Sequence, residues 1–236
     1  MNSEAVIEIG PDRPRMRAAA GDAPIFDRRS SALLITAPTS AEAEAIRALR
    51  TRIVAQHVRE GRRALVICSP SADTGCTFVA SNLAIAFAQI GTRTALLDAD
   101  LRQPGIGRVF DLPPDMSGLS EYLSRPDARA DEIAMTEVMP NLSVITAGRP
   151  THNPQELLST DRFHHLIGQL LREFELTIID TSPANICTDG QRVATVAGYS
   201  LIVARKHRSY MSDVMTLART LRADRSVVVG TVLNDF

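Results

Sequence analysis

The chain has 236 residues, 44% of them hydrophobic, which is enough for one sizeable core and suits a single large α/β domain. Its 26 basic and 27 acidic side chains leave a formal charge of -1, so nucleic acid is not expected as a partner. No apolar stretch approaches the roughly 18 residues needed to span a bilayer, and three scattered cysteines, Cys68, Cys76 and Cys187, fit neither a disulfide framework nor a zinc site. A cytoplasmic location with reduced thiols is the expectation.

Residues 1–35 carry Pro11, Pro14, Pro24, several arginines and an alanine run without apolar period, which predicts a flexible tail before a single domain at 36–236. Order is expected to begin near Ser40, an N-cap for a helix in which Ile46, Leu49 and Ile53 recur at helical spacing and which Gly61 stops. Residues 64–68 are continuously apolar, the pattern of a strand buried on both faces. A polar turn leads into a helix over 77–90, ended by Gly91, and then a strand over 94–97, which makes one right-handed βαβ unit. Further apolar runs at 142–146, 176–179, 201–204 and 227–233 predict four more strands. Asn153 as N-cap, Pro154 at the first helical position and Glu156 three residues after the cap predict a helix start. Strands alternating with helices imply a three-layer, doubly wound, mainly parallel α/β sheet, with functional groups at the carboxyl ends of the strands.

Three of those ends carry polar residues of one chemical type. The first is followed by Ser69, Pro70, Ser71, Ala72, Asp73, Thr74, Gly75, Cys76 and Thr77, running into a helix. The second carries Asp98 and Asp100, followed by Arg102 and Pro104, and a later one carries Asp180, Thr181, Ser182 and Pro183. A carboxylate at the end of a buried strand is costly unless it faces a cation, a donor or water. Three such acids beside a helix N-terminus are the chemistry of a magnesium-nucleotide site.

In these motifs the chain resembles the bacterial tyrosine kinases of capsule and exopolysaccharide synthesis, relatives of MinD- and ParA-type P-loop ATPases. The family's first loop reads approximately S-P-x-P-G-E-G-K-S-T before an A-A-N-L-A helix; residues 69–84 here read S-P-S-A-D-T-G-C-T-F-V-A-S-N-L-A. The family's L-L-I-D-A-D-L-R-x-P is matched at 95–104 and its I-I-D-T-P-P at 178–183. Weaker matches lie at 117–123, 147–158 and 229–234, so the likeness covers about residues 40–234.

The resemblance implies nucleotide contacts from Asp73, Thr74, Gly75, Cys76, Thr77 and Phe78, with magnesium held by Thr77, Asp98 and Asp180. Asp98 and Asp100 would be the catalytic acids. It implies ATP or ADP with Mg2+ as cofactors, of weak affinity here. As partners it implies a membrane-embedded polysaccharide co-polymerase or chain-length protein, or an active kinase paralogue, which would bring the chain to the inner membrane. Glu44, Arg47 and Arg50 fit the family's E-x-x-R-x-x-R assembly pattern; spaced three apart on a helix, they equally fit a solvated face with its own ion pairs. The resembled kinases carry a tyrosine cluster that they phosphorylate in trans; Tyr122, Tyr199 and Tyr210 are widely separated, so no substrate tail is expected.

The departures are as informative as the matches. The loop lysine is replaced by Cys76, a glycine by Asp73 and the second hydroxyl by Phe78. A thiol supplies no cation, and Asp73 is expected to bring negative charge toward the phosphates. Lys206, the only lysine in the chain, and Arg102 both lie near strand ends and are the candidate replacement cations. Cys76 is read either as an inert small residue or as a reactive thiol activated by the helix terminus. Three functions stay open: a catalytically impaired regulator or scaffold, an active kinase or ATPase using a substitute cation, and a non-hydrolysing nucleotide switch.

Overall fold

The computed structural model describes residues 31–129, 133 and 136–235. Residues 1–30 of the expected tail lie outside them. Order begins earlier than Ser40: a short helix α1, Leu33–Thr36, precedes it, with Ala32 and Leu34 buried and the Leu34 amide donating to Asn82 Oδ1 at 3.0 Å. Two apolar side chains and a buried hydrogen bond order this segment, too short a signal for periodicity to register.

Ser40 does cap the next helix, α2, Ala41–Gln56, its hydroxyl accepting the Ala43 amide at 3.1 Å. Gly61, at φ 74°, closes the 3-10 turn Val58–Glu60 that follows. Between them His57 is fully buried, bonded through Nε2 to Ala64 O at 2.8 Å; burial, the largest influence, lowers its pKa and keeps the ring neutral.

The strands and helices then alternate: β1 Ala64–Cys68, α3 Cys76–Gln89, β2 Thr94–Asp98, α4 Ile106–Val109, α5 Leu119–Ser124, β3 Thr136–Met139, β4 Leu142–Ile145, α6 Pro154–Leu158, α7 Asp161–Glu173, β5 Leu176–Asp180, α8 Asp189–Ala197, β6 Tyr199–Arg205, α9 Met211–Ala223 and β7 Val227–Asn234. One sheet takes the order β3-β4-β2-β5-β1-β6-β7, parallel throughout except for the β3–β4 pair. The apolar run of β1 explains itself in this setting. Val66 and Cys68 face a core shared with Phe163 and Leu166 of α7, while Leu65 and Ile67 face one shared with Leu83 and Phe87 of α3. Helices therefore cover both faces, as the run predicts.

The seventh strand, β3, escapes sequence patterning because it is a short edge strand that joins antiparallel to β4 through Pro140 and Asn141, the latter at φ 68°. The expected cap at Asn153 is not made. α6 starts at Pro154, but the Asn153 side chain accepts from Thr151 Oγ1 at 2.8 Å rather than from the helix.

The motif at residues 117–123 has a structural use. Glu121 Oε2 accepts Gly118 N at 2.8 Å and Oε1 accepts Arg149 N at 3.0 Å, while Leu119 N and Ser120 N donate to Thr146 O and Ala147 O, stapling α5 to the end of β4. Burial opposes ionisation of Glu121, but these amides hold its pKa lowered. Glu121→Ala is expected to cost about 1–2 kcal/mol, since charge-assisted bonds are lost at a half-exposed site, measured by urea denaturation.

Candidate functional site

The carboxyl ends of β1, β2 and β5 lie side by side, because β5 pairs with both of its neighbours. Asp98 and Asp180 are register partners, and Ile67 is the partner of Asp180 on the other side. Over these ends opens a cavity of about 470 Å³, whose lining includes Ser69, Asp73, Cys76, Thr77, Asp100 and Arg108. It sits at the reversal of strand order expected for a doubly wound sheet.

The loop over residues 69–75 runs from the end of β1 along the cavity to the N-terminus of α3. Asp73 stands at φ 58°, a left-handed conformation that aspartate tolerates better than most residues, and Arg205 Nη1 holds its carbonyl at 2.9 Å. Its carboxylate pairs with Arg208 at 3.3 Å; this partner offsets part of the charge expected to repel phosphate. Gly75, at φ 88°, caps α3, and a Cβ there would lie 2.3 Å from Asn234 Nδ2, which itself donates to Thr74 O at 2.9 Å. Gly75→Ala is therefore expected to cost about 1–2 kcal/mol from backbone strain alone, and more as Asn234 is displaced. A fall in melting temperature together with loss of any nucleotide affinity would be the readout. The first amides of α3 have no intrahelical carbonyl and form the natural anion-binding end of the helix.

Thr77 Oγ1 donates to Asp180 Oδ2 at 2.5 Å, and the other oxygen, Oδ1, is buried without a partner. Asp180 lies beside Asp98 in a dry environment: burial first, then the neighbouring carboxylate, raises its pKa, and burial likewise raises Asp98 to about 7. Two buried carboxylates facing each other, one with an orphaned oxygen, fit a divalent cation. The three acids nevertheless do not form a ready-made cage. Asp98 is occupied by the chain itself, Oδ1 accepting Asp100 N at 3.1 Å and Oδ2 accepting Gly105 N and Ile106 N at 3.0 Å each. Among the described residues no cluster of three metal-ligating side chains is poised to hold an ion. Asp98 is thus engaged in fixing the loop that leads into α4, while Asp180 Oδ1 is left without a partner. Magnesium commonly binds through one or two carboxylates plus phosphate oxygens, so the arrangement suits a magnesium-nucleotide better than a free ion.

Asp100 lines the cavity, its Oδ1 accepting Ser182 Oγ at 2.5 Å and the amides of Arg102 and Gln103. Ser182 stands where the resembled family has proline, and sequence reading assigned it no role. Asn234 and Arg205 were likewise unassigned; the weak match at 229–234 was the only signal for Asn234. Phe78 lines both this cavity and a groove between α2 and β7.

The two expected replacement cations are elsewhere. Arg102 is bound to the buried Asp189, Nε to Oδ2 at 2.7 Å, and Lys206 Nζ to Asp235 Oδ2 at 2.7 Å; neither lines the cavity. Cys76 is half-buried, and burial followed by the nearby Asp180 pushes its thiol well above its ordinary pKa. A raised thiol pKa favours the inert reading over the reactive one. On α2, Glu44 pairs with Arg47 at 3.3 Å, Arg47 also reaches Pro38 O at 2.6 Å, and Arg50 reaches Ala86 O of α3 at 3.2 Å. All three are thus partnered within the chain.

No family model matches the sequence. Individual proteins do. The putative tyrosine-protein kinase CapB of Staphylococcus aureus is 32% identical over 197 residues, covering 84% of this chain and 86% of that protein. The chain belongs to the bacterial tyrosine-protein kinases. Another member, the tyrosine-protein kinase ptk of Acinetobacter johnsonii, is 35% identical over 193 residues, and this chain spans 26% of its length. Among solved structures, the kinase domain of Escherichia coli tyrosine kinase ETK superposes with a TM-score of 0.81 at 31% identity, covering 89% of this chain and 82% of that one. The chimerical protein CapA2B2 follows at 0.79 and 31%, covering 87% and 89%. The MinD protein of Pyrococcus horikoshii, complexed with Mg-ADP, shares the fold at a TM-score of 0.62, 18% identity and 72% coverage of this chain. The architecture is that of a P-loop nucleotide-binding domain, and among the described residues no helix is long and apolar enough to cross a membrane.

Proposed function

We propose that this member of the tyrosine kinase family is a catalytically impaired, nucleotide-binding regulator of exopolysaccharide or capsule synthesis. The observation that carries the reading is the pairing of a retained cation site, Thr77 on Asp180 at 2.5 Å with an unpartnered Asp180 oxygen, with a neutral thiol at the lysine position. Magnesium bound with a nucleotide would supply charge neutralisation between phosphate oxygens. Thr77 and Asp180 would hold it, Asp98 braces the loop between β2 and α4, and Asp100, fixed by Ser182, faces the cavity where an attacking hydroxyl would need to be oriented. What is missing is a positive charge on the phosphate loop, the group on which transition-state stabilisation depends most.

Family membership supports a membrane-embedded chain-length protein or an active kinase paralogue as partner. The α2 strip then serves assembly only if a neighbour's carboxylates exchange with the internal partners of Arg47 and Arg50. The test is tyrosine phosphorylation in vitro. The purified chain with magnesium-ATP and a tyrosine-bearing partner tail should give no signal above background, while magnesium-ADP should raise its melting temperature. Robust transfer would refute the impaired reading; no thermal response at millimolar nucleotide would refute nucleotide binding.

A further inference from the structure

With Arg102 and Lys206 paired elsewhere, one basic side chain lines the cavity among the described residues: Arg108 of α4. We propose that Arg108 is the phosphate-binding cation of this site, in place of the lysine lost at position 76; this rests on the reading of the cavity as a nucleotide site.

The placement of Arg108 is built from several independent contacts. Asp98, the buried acid at the end of β2, accepts the amides of Gly105 and Ile106 and so fixes where α4 starts. Ile106 is fully buried beneath the helix, and Ser31 N donates to Val109 O at 3.0 Å, tying its far end to the segment that enters α1. Gly105 packs so closely on Thr77 that a Cβ would meet the threonine methyl at 2.9 Å, which brings this wall against the first turn of α3. The backbone that carries Arg108 is therefore rigid and adjacent to the cation site.

The side chain itself is exposed. Among the described residues its hydrogen bond runs from Nη2 to Pro104 O at 3.0 Å, and the guanidinium has further donors that can turn to an anion. A guanidinium can grip two phosphate oxygens at once, which suits it to holding a diphosphate. It approaches from the α4 side, however, and does not reproduce a lysine rising from the phosphate loop. It therefore supports binding while leaving transfer unassisted. Asp98 is in this scheme a positioning residue that acts through α4.

Titration calorimetry with magnesium-ADP, and with magnesium pyrophosphate as a probe without a base, tests the proposal on the intact chain. Arg108→Gln keeps an N–H donor while removing the charge and the guanidinium fork at an exposed position, so it should fold as the parent does, which circular dichroism and melting would verify. It should weaken both ligands by about ten- to a hundred-fold, the size of one charge-assisted contact. Arg108→Lys should bind more tightly than Arg108→Gln, and adding Cys76→Lys to Arg108→Gln should restore affinity. Equal affinity of Arg108→Gln and the parent would overturn the proposal while leaving the nucleotide site intact, as would a Lys variant no better than Gln. If neither the parent nor Cys76→Lys bound magnesium-ADP, the nucleotide reading would fall, and the role of Arg108 with it.

Discussion

Cys76→Lys is expected to raise magnesium-ATP affinity by about tenfold or more and to raise turnover by about a hundred-fold or more. The two figures differ for a physical reason. A lysine at the first residue of α3 would touch phosphate oxygens in the ground state, but its charge matters most as negative charge redistributes during transfer. Its ammonium would also enter a position on which the Asp180 carboxylate already acts electrostatically. The parent thiol contributes none of this, because burial and Asp180 keep it protonated. Calorimetry and a radiometric ATPase assay on parent and variant would measure both effects. A variant with restored affinity but parental turnover would show that some further element of the catalytic apparatus is lost.

Asp180→Asn is expected to stabilise the nucleotide-free protein at pH 8 and to abolish stabilisation by magnesium-ADP. Asp98 and Asp180 have folded-state pKa values raised above those of the unfolded chain, Asp98 to about 7. A raised value means that the stability these groups contribute is fully present at low pH, below the ordinary carboxylate pKa, and is lost as pH rises through the folded values. Above about pH 7 Asp98 ionises against its environment, buried beside Asp180. Replacing one carboxylate with an isosteric amide removes that opposition, a gain of roughly 1–3 kcal/mol. In a domain of this size that corresponds to about 2–4 °C in melting temperature per kcal/mol. The advantage should shrink toward pH 5, where Asp98 is protonated. Scanning calorimetry at both pH values, with and without magnesium-ADP, checks the sign; a variant less stable than its parent at pH 8 would place the charge pair in a better-compensated environment than its orphaned oxygen indicates.

The parts of this fold that were legible in the sequence are those fixed by covered surfaces. β1 and β5 read as strands because both of their faces are buried, and Ser40 was legible because a cap needs only its own hydroxyl and the amide three residues on. β3 was not, since an edge strand in antiparallel register with β4 carries little apolar pattern; nor was α1, whose order comes from burial of Leu34 and a bond to Asn82 far along the chain. At the site, the acids were legible as a group but not in their separate duties. That Asp98 serves Gly105 and Ile106 while Asp180 keeps an oxygen free depends on how the loop after β2 folds back over Thr77. The pairing of Arg102 and Lys206 was hidden for the same reason: both lie near strand ends in sequence, but Asp189 and Asp235 pair with them, and Arg108 belongs to no motif that would have marked it.

On the proposed reading, Cys76 deprives bound nucleotide of the charge that phosphoryl transfer requires. The most direct measurement is the rate at which the purified parent chain, saturated with magnesium-ATP, releases or transfers the terminal phosphate. The expected result is a rate at buffer background, rising when Cys76 is replaced by lysine. A parent turnover of about 1–100 per second, the range of active kinases, would contradict it.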